Sequence, residues 1–154
     1  MDDKFMELAI DEAILNIKNG GGPFGAVVVK NGEVIACCGN RVTQDNDPTA
    51  HAEVLAIREA TKKLNSWDLS DCEIYSSCEP CPMCLSAIYW AHIKTIFYGN
   101  TKEDARSVGF DDNFIYDEIA LDKNNRKIKA IPFLREEAII SFELWDKNEN
   151  KTKY

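Results

Sequence analysis

The stretches His51-Ala52-Glu53 and Pro80-Cys81-Pro82-Met83-Cys84 decide which fold and chemistry we expect of this chain. They supply one imidazole, two thiols and one further carboxylate. A histidine with two cysteines leaves the fourth position of a tetrahedral zinc ion open, which is typical of a catalytic rather than a structural site. Zinc in such a site lowers the pKa of its bound water to about 7. Redox and structural zinc sites share a lone C-x-x-C pair, so the added histidine and glutamate make the pattern specific.

Both motifs are predicted to lie at helix starts. Cys81 and Cys84 are neighbours on one helical turn, Pro82 suits the first helical position, and the dipole at that end favours thiolate over thiol. On a helix, His51 and Glu53 point in different directions, so His51 can bind the metal while Glu53 moves protons in the pocket. Alternatively, Glu53 is a solvated carboxylate that complements the helix dipole, and His51 is a buried histidine with satisfied hydrogen bonds.

Other cysteines and histidines are not expected to be ligands. Cys78 could be a fourth thiolate, but it would close the open coordination position, so we interpret it as a small buried residue. Cys72 is interpreted as a strand packing residue. His92, the second of two histidines, is expected on the surface or at a helix end.

Composition indicates one domain over residues 1–154. Of these residues 45% are apolar, enough for an ordinary core. No apolar run approaches the ~20 residues of a membrane span, and the first residues do not resemble a signal peptide. We therefore expect a cytoplasmic protein with no membrane partner, in which the six cysteines stay reduced.

The charge balance disfavours a nucleic-acid partner. The formal net charge is −8, and a protein that grips a phosphate backbone usually carries a basic face. The most basic stretch, residues 125–129, has acidic neighbours. A small uncharged substrate is favoured.

The order of predicted elements indicates an α/β fold. Apolar spacing and turn signals predict helices over about 4–19, 47–64, 82–91 and 134–147 and helical turns to about 105, with strands over 24–30, 33–39, 71–77, 94–98 and 126–132. Asn31-Gly32 predicts a two-residue hairpin turn. Helices alternating with strands predict a three-layer α/β/α sandwich around a mixed sheet of about five strands.

The sequence resembles the cytidine/deoxycytidylate deaminase superfamily, for which H-x-E…P-C-x-x-C is a known signature. The resemblance runs almost end to end. Segments 109–116 and 131–133 and the terminal Lys153-Tyr154 are similar to the bacterial guanine deaminases within it. The resemblance implies one Zn²⁺ per chain, held by His51, Cys81 and Cys84. It also implies a zinc-activated hydroxide that attacks C2 of guanine, with Glu53 as the proton carrier and xanthine and ammonia as products.

The resemblance also nominates substrate-binding residues. Asn40 could present its amide to the purine edge, or be an ordinary strand-end residue. Phe24 could stack on the base, or be a core phenylalanine. Asp112 could bind the purine or its leaving group, and the adjacent Asp111 is an alternative for this role. Otherwise the two residues are a solvated acidic pair. Tyr154 could close the pocket, in its own or a partner subunit, or be a disordered end.

The sequence leaves alternatives open for the quaternary structure and for the substrate. Family members are commonly homodimers, and some exchange their C-terminal segments; apolar residues among 89–90 and 114–116 suit such an interface or a core. A tRNA adenosine deaminase would share the chemistry but would need a positive platform. Another free base or nucleoside, such as cytosine or guanosine, is a second alternative, and a non-catalytic zinc-binding domain a third.

Overall fold

A computed structural model describes residues 2–154, and the chain forms two compact units, Met1–Asn113 and Phe114–Tyr154. The first unit contains a mixed sheet of four strands in the order β2-β1-β3-β4. Strand β1 pairs antiparallel with β2 and β3, and β3 pairs parallel with β4. The strands are β1 (Gly25–Lys30), β2 (Glu33–Gly39), β3 (Cys72–Cys78) and β4 (Thr95–Asn100).

Helices cover both faces of this sheet. Along β1, Ala26 and Val28 belong to one core cluster, whereas Val27 and Val29 belong to the other, as the two-residue period of a strand requires. The first cluster lies beneath helices α3 (Ala52–Leu64) and α4 (Pro82–Trp90), and the second beneath helix α1 (Asp3–Lys18). This arrangement confirms the predicted α/β/α layers. The helices of this unit are α1 (Asp3–Lys18), α2 (Val42–Asp45), α3 (Ala52–Leu64), α4 (Pro82–Trp90) and α5 (Lys102–Ser107).

The predicted hairpin between β1 and β2 is confirmed. Asn31 has φ 52° and Gly32 has φ 79°, the positive pair that a type I′ turn requires. The turn brings β2 back beside β1 so that Gly39 pairs with Gly25. Phe24 and Asn40, which flank these two glycines, therefore meet at the same end of the hairpin.

The helix predicted from residue 47 begins later, at Ala52. The Asp47 carboxylate Oδ1 accepts hydrogen bonds from the backbone N–H and the hydroxyl of Thr49, at 2.8 and 2.7 Å. This side-chain turn competes with helix formation. It leaves His51 in extended backbone, immediately before the helix.

The second unit continues α6 (Asn113–Ala120) and adds a short 3₁₀ turn (Lys123–Asn125) and α7 (Arg135–Lys147). The strand predicted over 126–132 is wrong, because this stretch forms no regular element. Pro132 cannot donate to a sheet ladder. The Lys127 backbone N–H is bonded instead to the Glu118 carboxylate at 2.7 Å, and the Arg126 guanidinium donates to main-chain carbonyls of residues 119 and 121.

Across residues 2–154, no helix combines the length and the apolar character needed to cross a membrane.

Candidate active site

Two helix N-termini carry the three predicted metal ligands. His51 is the N-cap residue of α3 and Cys81 that of α4, and neither side chain caps its own helix. Pro82 occupies the first turn of α4, where its missing N–H leaves no intrahelical bond unmade. Cys84 follows on the same turn and is fully buried. Both imidazole and thiols therefore point out of their helices instead of capping them.

The three side chains meet at distances that fit zinc. His51 Nδ1 lies 3.5 Å from the sulfur of Cys81 and 3.5 Å from that of Cys84. Tetrahedral zinc, with Zn–S near 2.3 Å and Zn–N near 2.05 Å, places nitrogen and sulfur about 3.6 Å apart. All three donor atoms lie within 4.8 Å of one another. The donor set and its spacing thus fit a zinc ion, which the Nδ1 atom of His51 and the sulfurs of Cys81 and Cys84 would hold.

The site already stabilises a thiolate. A hydrogen bond from the Cys84 thiol, followed by the neighbouring His51 imidazole, lowers the pKa of Cys81 to about 4. The hydrogen bond between the His51 imidazole and Cys81 in turn raises the pKa of His51. Because thiolates rather than thiols bind zinc, a lowered pKa at Cys81 favours metal binding at neutral pH.

Glu53 lies beside the ligands without joining them. Only 6% of it is exposed, and burial raises the pKa of its carboxyl. The Ser76 hydroxyl donates to Oε1 at 3.2 Å, and Cys84 Sγ lies 3.3 Å from Oε2. Burial therefore favours the protonated form of this carboxyl more than water does, which suits a proton carrier.

Asn40 and Phe24 border the end of the hairpin. Asn40 is buried, and its Oδ1 accepts the Val42 N–H at 3.2 Å. No partner within residues 2–154 takes up the Nδ2 donors of Asn40, so they remain available to a ligand. Phe24 is half-buried and meets the edge of Phe110 with ring centroids 4.9 Å apart.

The adjacent acids Asp111 and Asp112 differ in their surroundings. Asp111 is exposed, pairs with Arg106 at 3.3 Å and accepts the Asn113 N–H at 3.0 Å. Asp112 is half-buried. Burial, followed by the negative charge of Cys81, raises the pKa of Asp112. Asp112, rather than Asp111, therefore shares the electrostatic environment of the metal ligands.

Cys78, Cys72 and His92 are not grouped with the three metal ligands within residues 2–154. Buried Cys78 donates weakly to the Thr101 carbonyl at 3.6 Å. Cys72 packs in the core of β3, and His92 is exposed after α4, with Nδ1 3.6 Å from Asp68 Oδ1. Tyr154 belongs to the second unit and is exposed.

Comparisons with known proteins agree with this geometry. Residues 1–100 match the family model described as the cytidine and deoxycytidylate deaminase zinc-binding region. The chain belongs to this deaminase family. It is 48% identical to guanine deaminase of Bacillus subtilis over 153 residues, covering 99% of this chain and 98% of the relative. The crystal structure of guanine deaminase from Bacillus subtilis superposes with a TM-score of 0.96 at 48% identity, covering 100% of this chain and 99% of the other.

A second relative matches over a shorter stretch. The tRNA-specific adenosine deaminase of Aquifex aeolicus is 43% identical over 94 residues, or 61% of this chain and 62% of the relative. The shared zinc-binding region ends near residue 100. The segment that carries Asp112 and Tyr154 therefore lies outside what defines the family.

Two residues of this deaminase site were missed in the sequence. Ser76 donates a hydrogen bond to Glu53. The signal in the sequence was a polar residue inside a predicted strand, on the same face as the apolar Ile74. Asn16 is buried beneath the hairpin end. It follows Phe5, Ala9 and Ala13 on the inner face of α1, so a lone amide on an apolar helix face could have revealed it.

Proposed function

We propose that this protein is a guanine deaminase, which hydrolyses guanine to xanthine and ammonia in purine breakdown. The observation that carries the proposal is the near full-length similarity to guanine deaminase of Bacillus subtilis, which extends beyond the shared zinc-binding region. The His51, Cys81 and Cys84 cluster beside a buried Glu53 supplies the required chemistry.

The reaction adds water to C2 of guanine and breaks the bond from C2 to the exocyclic nitrogen. His51, Cys81 and Cys84 would hold the zinc ion, which when bound would supply a Lewis acid that lowers the pKa of water to about 7. The Glu53 carboxylate accepts one proton from the attacking water and delivers it to the ring nitrogen beside C2. It then accepts the second proton from the hydroxyl now on C2 and delivers it to the departing amine, so that the C2–N bond breaks as the C2 carbonyl forms and ammonia leaves. The Ser76 hydroxyl on Oε1 holds the Glu53 carboxylate in place through these transfers.

The substrate contacts are assigned to the residues around this centre. The Asn40 side-chain NH₂ donates to an acceptor on the purine edge, and the Phe24 ring packs on the base. Asp112 accepts hydrogen bonds from the purine or from the leaving group. Support comes from the buried amide of Asn40, the half-buried ring of Phe24 and the raised pKa of Asp112 near Cys81.

The whole chain is proposed to act as one deaminase domain within a homodimer whose subunits exchange the C-terminal helix and tail, which belong to the unit of residues 114–154. None of these residues is buried. Large apolar side chains of this unit are mostly exposed: Ile128, Ile131 and Phe133 each by 80% or more. Exposed apolar surface of this extent marks an interface, and an exchanged segment would place Tyr154 at the partner's pocket.

The cytoplasm is the proposed location. All six cysteines are free thiols, including the two zinc ligands, and a reducing compartment preserves them.

A substrate panel tests the proposed function. Purified zinc-loaded protein is incubated with guanine, guanosine, adenine and cytosine, and with an anticodon stem-loop RNA, while ammonia and the product base are measured. We expect xanthine from guanine and far slower release of ammonia from the others. Turnover of another base without xanthine would overturn the substrate assignment, and inosine in the RNA would favour a tRNA adenosine deaminase.

A further inference from the structure

Asn16 joins two segments of the first unit that are distant in sequence. Its side chain lies on the inner face of α1 and is only 7% exposed. The Nδ2 group donates one hydrogen bond to the carbonyl of Gly22 and another to the carbonyl of Asn40, both at 2.7 Å. Both N–H donors of one buried amide are thereby used.

The two carbonyls that Asn16 binds are connected to the residues assigned to the base. One belongs to Gly22, two residues before Phe24, and the other to Asn40 itself. The Gly22 carbonyl also accepts the Phe24 N–H at 2.9 Å, and the Asn40 N–H donates to the Phe24 carbonyl at 3.0 Å. A continuous set of hydrogen bonds thus runs from Asn16 through the backbone of Phe24 and Asn40. Any displacement of the amide would move both residues.

Space for this amide is made by glycines. A Cβ atom on Gly39 would lie 2.8 Å from Asn16 Cγ, and one on Gly21 would collide with Asn16 Nδ2. Contacts this short are not tolerated between such atoms, so a side chain at either glycine would displace Asn16. Neither glycine has a positive φ, so close side chains rather than backbone conformation account for the glycines. Asn16 is a close neighbour at both positions, together with Gln44 Nε2 at 2.6 Å for Gly21 and Glu12 Oε1 at 3.0 Å for Gly39.

We propose that Asn16 is a positioning residue of the substrate pocket: its amide sets the distance and orientation between the Phe24 ring and the Asn40 side chain. The inference rests on the proposed function for the identity of the substrate and for the assignment of Phe24 and Asn40 to the base. Asn16 touches neither the metal ligands nor Glu53 through any hydrogen bond. Its loss should therefore weaken substrate binding and leave the chemical step and the zinc content nearly unchanged.

Asn16→Ser, which shortens the side chain and leaves one donor, is compared with Ala9→Gly, a control that destabilises the same helix beneath the sheet. Losing hydrogen bonds worth about a factor of ten each should raise KM for guanine at least ~10-fold in Asn16→Ser, with kcat within ~3-fold of wild type. Ala9→Gly should lower the melting temperature without that change in KM. In an Asn40→Ala background, Asn16→Ser should raise KM by less than ~3-fold, because coupled residues are not additive.

Amide hydrogen exchange provides a readout that needs no substrate. In Asn16→Ser, exchange at Phe24 and Asn40 should accelerate at least ~10-fold relative to the amides of β3. Gly39→Ala, which pushes the Asn16 amide aside without removing it, should also accelerate exchange at Phe24 and Asn40. This second variant tests the proposal if Asn16→Ser does not fold. Exchange or KM changes no larger than those of Ala9→Gly would overturn the proposal. If wild type does not deaminate guanine, the proposed function fails, and exchange alone judges Asn16.

Discussion

The buried carboxylate of Glu53 is the residue on which the chemistry depends. Removing a carboxylate from water is costly unless it gains partners, and Glu53 has the Ser76 hydroxyl and the Cys84 sulfur within 3.3 Å. Burial makes the protonated form accessible by raising the pKa of Glu53. Perturbed carboxyl groups beside metal ligands are typical of catalytic positions.

Replacing this carboxyl should separate proton transfer from metal binding. Glu53→Gln keeps the size and polarity of the side chain but cannot carry a proton, so kcat should fall at least ~10²–10⁴-fold. Metal analysis should still find about one zinc per chain. Glu59→Gln is the matched control, since Glu59 lies on the same helix, pairs with Lys63 at 2.6 Å and should retain activity. A zinc-free Glu53→Gln protein would require Glu53 to be a ligand.

The Ser76 hydroxyl should matter through Glu53. Ser76→Ala removes the 3.2 Å hydrogen bond to Oε1, and loss of one such bond to a carboxylate should lower kcat by about tenfold. Because that bond stabilises the charged form, its loss should also raise the pKa of Glu53 and move the acidic limb of the pH–rate profile to higher pH. Ser77→Ala, which removes an acceptor for the Gly25 N–H, should change stability but not that limb. An unshifted limb in Ser76→Ala would contradict this role.

At the scale of elements, the metal site connects two helices through their N-termini. His51 precedes α3, whereas Cys81 and Cys84 open α4. Their positive dipole ends would repel each other without the negative charge of the thiolates. A zinc ion held by both helices is therefore expected to contribute to stability as well as to catalysis.

Zinc removal should loosen this pair of helices. Dialysis against a chelator should lower the melting temperature by at least about 5 °C, because a ligand that binds only the folded state stabilises it. Cys81→Ala should lose zinc and show a similar decrease that added zinc does not reverse. Cys78→Ala, which removes a buried thiol outside the cluster, should keep about one zinc per chain. Zinc loss in Cys78→Ala would show that Cys78 is a ligand.

At the scale of the whole molecule, the proposed role of residues 114–154 decides whether one chain would suffice for activity. This unit has no buried residue. Lys151 is bonded to the Asp146 carboxylate at 3.1 Å, so a truncation after Lys151 keeps this contact at the end of α7. Deleting residues 152–154 should preserve fold and zinc but lower kcat/KM for guanine about tenfold by opening the pocket to water. Tyr154→Phe should keep the cover and lose only the contribution of the hydroxyl.

Exchange of the C-terminal unit can be tested by complementation. Light scattering should give twice the 17.4 kDa chain mass. Co-expression of Glu53→Gln chains with chains lacking residues 152–154 creates mixed dimers, in which an intact tail can serve the partner's intact Glu53. If the tail acts across the dimer, random pairing should restore about a quarter of wild-type activity. A monomer, or no activity above the parent variants, would contradict the exchange.

The sequence alone determined the ligand set and most elements, because both depend on short-range spacing. His51, Cys81 and Cys84 were identifiable from donor chemistry and helical position, and the β1–β2 hairpin from Asn31-Gly32. The strand predicted over 126–132 failed because local apolar alternation cannot show whether a sheet edge exists to pair with it.

Only the tertiary structure decided the contacts made across the sheet. The Ser76 hydroxyl reaches Glu53 because β3 lies beneath α3. Asn16 reaches Asn40 because α1 packs over the hairpin end. Asp112 is distinguished from Asp111 by burial, since the two are chemically identical in the sequence. Such contacts join residues far apart in the chain, and their distances follow from packing rather than from any local pattern.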